Sequence, residues 1–201
     1  LPSELAIGAT GNIYVSDTGN NKVRVIAPNG AVSTVANLPA PTAIAVDAQG
    51  VVFVTSQHAI FKVLPSGATS VFLGTPGAVG VLAGDTSQTQ FGDVRALAVD
   101  KSGILYVAEK QVMRTPENHT LRRFDSQGKI LHWPGATASQ VTLGVIAPLT
   151  SIAVDSAGDV IGVASGFRAL FSGSAQRFNH IVRFNEAGAM TTLAGSEVYI
   201  G

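Results

Sequence analysis

The phrase "IAVDAQGVVFV" at residues 44–54 occurs four times in slightly altered form, the others being "LAIGATGNIYV" at 5–15, "LAVDKSGILYV" at 97–107 and "IAVDSAGDVIG" at 152–162. Aligned on glycines 11, 50, 103 and 158, the copies are spaced by 39, 53 and 55 residues. Self-similarity at a few tens of residues marks a supersecondary unit that cannot bury its own faces and stacks on its neighbours. Each phrase alternates apolar and other residues on either side of a glycine turn, the pattern of a two-stranded hairpin.

Asp47, Asp100 and Asp155 stand three residues before their glycines. An Asp carboxylate there can accept backbone N–H groups of the turn while the glycine takes positive φ. This assigns the aspartates to the turns rather than to catalysis. Gly8 fills that place in the first copy. A second glycine follows in each copy, at 30, 67, 128 and 188, within "VIAPNGAVSTVAN", "KVLPSGATSVFLG", "RFDSQGKILHWPG" and "RFNEAGAMTTLAG". Each unit therefore reads as two hairpins and four strands, at 4–8, 12–16, 22–27 and 31–36 in the first.

Four short antiparallel strands, repeated, are the blades of a β-propeller. The fold class expected is all-β: a single propeller domain or propeller fragment over 1–201, with blades at approximately 1–37, 38–93, 94–148 and 149–201. Ala6, Ala45, Ala98 and Ala153 share a column that suits an innermost strand, where sheets converge and bulky side chains collide. Tyr14, Phe53 and Tyr106 share a column on the second strand, with Ile161 in the last copy, and are expected to fill the space between adjacent sheets.

The chain has no cysteine, which removes disulfides, thiolate catalysis and sulfur-bound zinc. Thirteen basic residues balance thirteen acidic ones, so no long-range field favours nucleic acid or anionic lipid. Gly, Pro, Asp or Asn interrupts every apolar run before it reaches the ~18 residues of a spanning helix, so membrane insertion is not expected. Low charge and abundant Ala, Gly, Ser and Thr suit a periplasmic or secreted protein, although these residues display no secretory signal.

With the preceding Ala-hydrophobic-x-x-x-Gly phrase, "YVSDTGNNKVRV" at 14–25 resembles the NHL repeat, a propeller-blade motif. The resemblance extends over essentially the whole chain. Asp17 matches the family's Asp and Glu109 stands in for it in the third copy, whereas Ser56 and Ala164 depart from it. The resemblance implies a fold shared by protein-binding modules, extracellular sensor domains of bacterial receptors and a few metal-dependent lyases. It also implies a ring of about six blades. The remainder would be further blades beyond these residues or another chain completing the ring, unless the ring closes with fewer.

Loop lengths distinguish the two faces of such a ring. Between the two glycines of a copy the distances are 19, 17, 25 and 30 residues, and from the second glycine of one copy to the first glycine of the next they are 20, 36 and 30. Both kinds of connection emerge on the same face, and long loops on a rigid frame are where binding resides. The segments are 75–93, 109–119, 136–148 and 164–179. Within them Arg114, Arg168 and Arg177, with Phe167, Phe171 and Phe178, mix cations and aromatics as recognition surfaces do. His119 completes the candidate binding set. The alternative is that the phenylalanines anchor their loop to the body, and a fifth hairpin or short helix within 164–179 is a further option, as is a strand at 79–84.

His58, His119 and His180 lie at or beside the start of third strands, spread around the ring rather than converging, so a structural role is expected. No nucleophile elbow and no phosphate-binding glycine motif is present. The function expected is a non-catalytic propeller binding a protein or small ligand, with no cofactor. The first alternative is a metal-dependent lactonase or lyase at the central channel, with a divalent cation whose ligands would come from among Glu4, Asp17, Asn21, Asp93 and Glu109, a group from which spacing selects no set. The second is a structural module of a larger extracellular assembly.

Overall fold

The computed structural model describes residues 1–80, 85–111, 118–133, 143–145, 149–169 and 175–200. It contains four antiparallel four-stranded sheets. The first consists of β1 (Glu4–Ile7), β2 (Ile13–Asp17), β3 (Lys22–Ile26) and β4 (Val32–Asn37), and the second of β5 (Ile44–Val46), β6 (Val52–Ser56), β7 (Ala59–Val63) and β8 (Thr69–Leu73). The third consists of β9 (Asp93–Val99), β10 (Leu105–Gln111), β11 (Asn118–Phe124) and β12 (Leu143–Val145). The fourth consists of β13 (Leu149–Val154), β14 (Val160–Ala169), β15 (Ala175–Phe184) and β16 (Met190–Ile200). Within each sheet the strands are ordered as in the chain, and β1, β5, β9 and β13 pack against one another in succession. This is the β-propeller expected from the repeat.

The turns behave as their sequences demand. Asp47 Oδ1 accepts from Gln49 N and Val51 N, Asp100 Oδ1 from Ser102 N and Ile104 N, and Asp155 Oδ1 from Ala157 N and Asp159 N, all at 2.8–3.0 Å. The glycines that follow have φ near +80 to +92°, the left-handed region that penalises a Cβ. The second hairpin of the third blade repeats the device: Asp125 Oδ1 accepts from Gln127 N and Lys129 N, both at 2.9 Å.

Alternation along each strand gives every sheet two apolar faces, and three clusters lie between successive sheets. Tyr14, Val23 and Ala36 meet Ile44, Val52 and Val54 between the first and second. Ala45, Phe53, Ile60 and Leu73 meet Leu97, Leu105 and Val107 between the second and third. Ala98, Tyr106 and Trp133 meet Leu149, Ile152 and Val160 between the third and fourth. The aromatic column thus faces the following sheet each time. A bulge supports it from the fourth strand of its own sheet: register shifts at Val23/Arg24 and Ile60/Phe61 leave Val35 and Phe72 unpaired, and Phe72 lies 5.2 Å from Phe53. Trp133, five residues after its turn glycine like Val35 and Phe72, lies 6.2 Å from Tyr106.

The outer faces of the row remain open. Leu5, Ile7 and Val32 of the first sheet are exposed, as are Val163, Ile181 and Leu193 of the fourth.

Two expectations need correction. Residues 109–119 and 164–179 are not simply loops, because β10 and β11 extend to Gln111 and from Asn118, and β14 and β15 pair as far as Ala169 opposite Ala175. The option of a hairpin in 164–179 is realised as a prolongation of an existing one. The fourth strand of the third sheet was expected just after Gly128. There, among the described residues, Ile130 makes an isolated bridge to Phe124 and Leu131 N donates to Arg123 O, and the regular pairing with His119–Leu121 falls to Leu143–Val145, inside the segment assigned to a crossover. Val79 makes an isolated parallel bridge to Phe91, and the rest of the strand proposed at 79–84 lies outside the described residues beyond Gly80.

Removing one turn carboxylate tests the assignment. Asp100→Ala should lower unfolding stability by about 1–2 kcal/mol in urea, and Asp100→Asn, which keeps an acceptor, should lose less than half of that.

Candidate functional site

The connections between second and third strands and the starts of the innermost strands share one face. There, in the first two sheets, the third strand opens on a left-handed residue that stitches its sheet to the crossover beyond. Asn21 has φ +55°, and its Oδ1 accepts from Ala40 N at 2.8 Å. His58, in the same repeat position, has φ +61°, and its Nδ1 lies 2.8 Å from Gly92 O. A carbonyl can only accept, so Nδ1 carries the proton and Nε2 is an acceptor in the neutral ring. His58 has the structural role expected of it.

Beside His58 a cleft of about 270 Å³ opens between the second and third sheets, lined by Thr42, Thr55, Gln57, His58, Gly92, Asp93 and their neighbours. Three lining residues, Ala40, Gln57 and His58, have φ between +41 and +61°. Non-glycine residues in this region cost on the order of 1 kcal/mol each and persist where surrounding structure holds them. Thr55 is 5% exposed, and its Oγ1 makes no hydrogen bond to any described residue. Asp93 pairs with Arg95 at 2.6 Å.

Gly92, which lines the cleft, is held by a buried ion pair. Arg122 on β11 and Glu109 on β10 are 1–2% exposed, with Nη2 to Oε1 at 2.6 Å. Thr120 Oγ1 donates to Glu109 Oε1 at 3.0 Å and Gly92 N donates to Oε2 at 3.0 Å, while Arg122 Nη2 donates to Gln90 O at 2.9 Å. The guanidinium also lies 4.4 Å from the Phe91 ring centre. Desolvation lowers the Arg122 pKa and the Glu109 charge opposes it. The pair therefore ties the segment entering β9 to the body of the third sheet. In the first sheet Arg24 and Asp17 hold equivalent positions, 3.4 Å apart. There the hydrogen bond from Asn20, aided by Arg24, holds the Asp17 carboxyl below its ordinary range.

Glu4, at the start of β1, joins the first two innermost strands. Its Oε2 accepts from Ile44 N at 3.0 Å. Burial pushes its carboxyl up from 4.5 to about 7, against the pull of that N–H.

The oxygen donors weighed for a divalent ion are thus engaged within the protein: Glu4 on Ile44, Asp17 on Arg24 and Asn20, Asn21 on Ala40, Asp93 on Arg95 and Glu109 on Arg122. Among the described residues, no three His, Cys, Asp or Glu side chains converge as metal ligands. These residues do not fit a common ion.

Of the candidate binding residues, Arg114 and Phe171 lie outside the described residues. His119 is 7% exposed on β11, opposite Lys110 and Val145, in the sheet rather than on a loop. Phe167, Arg168, Arg177 and Phe178 all belong to the β14–β15 ladder, with Phe167 opposite Arg177, Gly166 opposite Phe178 and Arg168 opposite Gln176. The structure thus brings four of the seven onto one two-stranded element. Arg122 and Thr55 escaped the sequence analysis. Arg122 was visible as the counterpart of Arg24, two residues beyond the partner of the acidic position in each hairpin. Thr55 gave no signal, since Thr is ordinary in a strand.

No protein-family model matches the chain, and no curated protein matches it in sequence. Solved structures do match in fold. A Bacteroides thetaiotaomicron protein of unknown function aligns at 18% identity with TM-score 0.61, over 79% of this chain and 43% of that one. Virginiamycin B lyase from Staphylococcus aureus aligns at 14% identity with TM-score 0.55, over 94% and 68%. A gluconolactonase from Xanthomonas campestris aligns at 16% identity with TM-score 0.50, over 95% and 74%. The chain spans less than half of the first of these and about two thirds to three quarters of the others. At such identities the likeness establishes the propeller and nothing finer.

Two measurements test this site. Glu109→Ala strands a buried guanidinium and should cost about 3–5 kcal/mol in urea unfolding, whereas Glu109→Met with Arg122→Leu should cost distinctly less; equal losses would show that the pair is not the anchor. For Glu4, the raised pKa means that its contribution is fully present below pH 4.5 and is lost as the pH rises towards 7. Relative to Glu4→Gln, the wild type should lose on the order of 1–2 kcal/mol between pH 4.5 and 8, a range that allows for water screening of a partly exposed group.

Proposed function

We propose that this chain is a non-catalytic, NHL-like propeller that presents its variable face to a protein or small ligand outside the cytoplasm. The observation that carries this reading is the length of the β14–β15 ladder. It contains ten register pairs, from Val160 opposite Phe184 to Ala169 opposite Ala175, whereas β2–β3 and β6–β7 contain five each and β10–β11 seven. Three to five extra steps at about 3.3 Å carry the hairpin roughly 10–16 Å further than its counterparts. β16 accompanies it, pairing as far as Ile200 opposite Ala175. A three-stranded arm needs no such extension to close a blade, and it holds Phe167, Arg168, Arg177 and Phe178 on one element. Preordered backbone lowers the entropic cost of binding relative to a loop.

The lyase and gluconolactonase among the structural neighbours bring a catalytic reading into view. Against it stand the internal commitments of the five oxygen donors, so binding is the better-supported function. The open outer faces of the first and fourth sheets favour a larger ring of about six blades, completed by further blades or by another chain.

The test is capture of partners from a periplasmic or secreted fraction by immobilised chain. Replacing Arg114, Arg168 and Arg177 together by Ala should reduce capture by about tenfold or more with little change in Tm. Equal capture by the triple variant would remove the arm from the binding surface.

A further inference from the structure

The arm formed by β14, β15 and β16 has a second property besides its length. Each sheet in the chain ends on its fourth strand, whose far edge pairs with no other strand among the described residues. An open edge presents a row of unpaired N–H and C=O groups, and proteins commonly protect it by keeping it short or by twisting it away with a bulge. The first two sheets do both. β4 continues past its bulge at Val35 for only two residues, Ala36 and Asn37, and β8 past Phe72 for one, Leu73. β12 has three residues in all.

β16 departs from this pattern. Its bulge falls at Leu193, between the pairs Val182–Thr192 and Ile181–Ala194, in the repeat position of Val35 and Phe72. Seven further residues, Ala194–Ile200, then stay paired with β15. At about 3.3 Å per residue they form an edge of roughly 23 Å. Gly195 has φ +125°, so the regular part of this edge is Ser196–Ile200. Nothing in its sequence, "SEVYI", blunts it: there is no Pro to remove a donor and no Lys, and Glu197 is the one charge. Val, Tyr and Ile all favour strands. The opposite edge of the arm is different. Among the described residues β13 pairs with β14 only as far as Ala164, which leaves Ser165–Ala169 open, but that segment carries Gly166 and Arg168, a weak strand former and a charge.

The β16 edge is complementary to itself. In antiparallel pairing both strands present the same alternation of donors and acceptors, so a twofold axis through the edge satisfies both copies at once. With the axis at Val198, the register sets Glu197 opposite Tyr199 and Val198 opposite itself, so like charges do not meet and two β-branched residues pair. The zero net charge of the chain adds no long-range repulsion between copies.

We propose that β16 pairs antiparallel with β16 of a second copy of this chain across Ser196–Ile200, joining the two arms into one six-stranded sheet. The proposal rests on the arm being a contact element, as inferred above, and names a second copy as what it contacts. The two readings fail separately. A strictly monomeric chain that still captures a partner through the arm would overturn the dimer and leave that function standing, whereas a dimer that captures nothing would do the reverse.

Sedimentation equilibrium of the whole chain over ~5–500 µM tests the dimer, which should form with a Kd below ~100 µM. Val198→Lys and Val198→Glu each set like charges against each other on the axis and should weaken association at least ~tenfold, with Tm changed by less than ~4 °C. Mixing the two variants sets opposite charges there and should restore a dimer of one chain of each, which also shows that both are folded. The proposal is overturned by a chain that stays monomeric up to ~500 µM, by a dimer that survives either variant, or by folded variants that do not associate when mixed. Association that continues beyond two chains would also overturn it, since a twofold contact closes.

Discussion

Each four-stranded sheet in this chain has two apolar faces, and only another sheet of the same kind can cover either. That constraint explains the repeat. The second strand sends Tyr14, Phe53 or Tyr106 forward and its flanking Val or Leu residues backward, so each interface combines the forward face of one blade with the backward face of the next. Because the side-chain period in a strand is two, a slip of one residue would exchange the faces and expose both. The turn aspartates and left-handed glycines prevent that slip by fixing where each hairpin reverses. The bulge at Val35 and Phe72 then turns a large apolar residue back under the aromatic of its own sheet.

A frame built in this way leaves one face free to vary. Stitches from Asn21 and His58, and the buried Arg122–Glu109 pair, fix the segments that enter the innermost strands. The cleft beside His58 and the prolonged ladder of the fourth sheet both depend on this rigidity. A left-handed Gln57 survives because Gly77 N donates to its carbonyl at 2.7 Å and its neighbours are held in turn. Polar groups on this face hold backbone in place, which is why residues resembling metal ligands in the sequence serve as fasteners in the structure.

Much of this could be read from the sequence, for definite reasons. Turn chemistry has local signatures, so Asp47, Asp100 and Asp155 disclosed the hairpins and Gly11 through Gly188 disclosed the blades. The aromatic and alanine columns disclosed which side of each sheet meets its neighbour. What could not be read depends on partners distant in sequence. Leu143–Val145 joins the third sheet after a stretch in which the repeat is broken, and three apolar residues have no period that distinguishes strand from loop. The segment at 164–179 mixes Gly, Ser, Arg and Phe without alternation, and its pairing is imposed by the strands on which it continues. The repeat position that Arg122 shares with Arg24 points to its acid, but the two aromatic rings beside its guanidinium emerge only with the fold.

The account's central claim is the directional stacking of equivalent sheets, and nuclear Overhauser contacts of the aromatic column test it most directly. The Phe53 ring should show cross-peaks to methyls of Leu97, Leu105 and Val107, the Tyr106 ring to Ile152 and Val160, and the Tyr14 ring to Val52 and Val54, following the three buried clusters. Contacts from Phe53 to the methyls around Tyr14, or from Tyr14 to residues of the third sheet, would contradict it, because no arrangement of successive blades about one axis produces them.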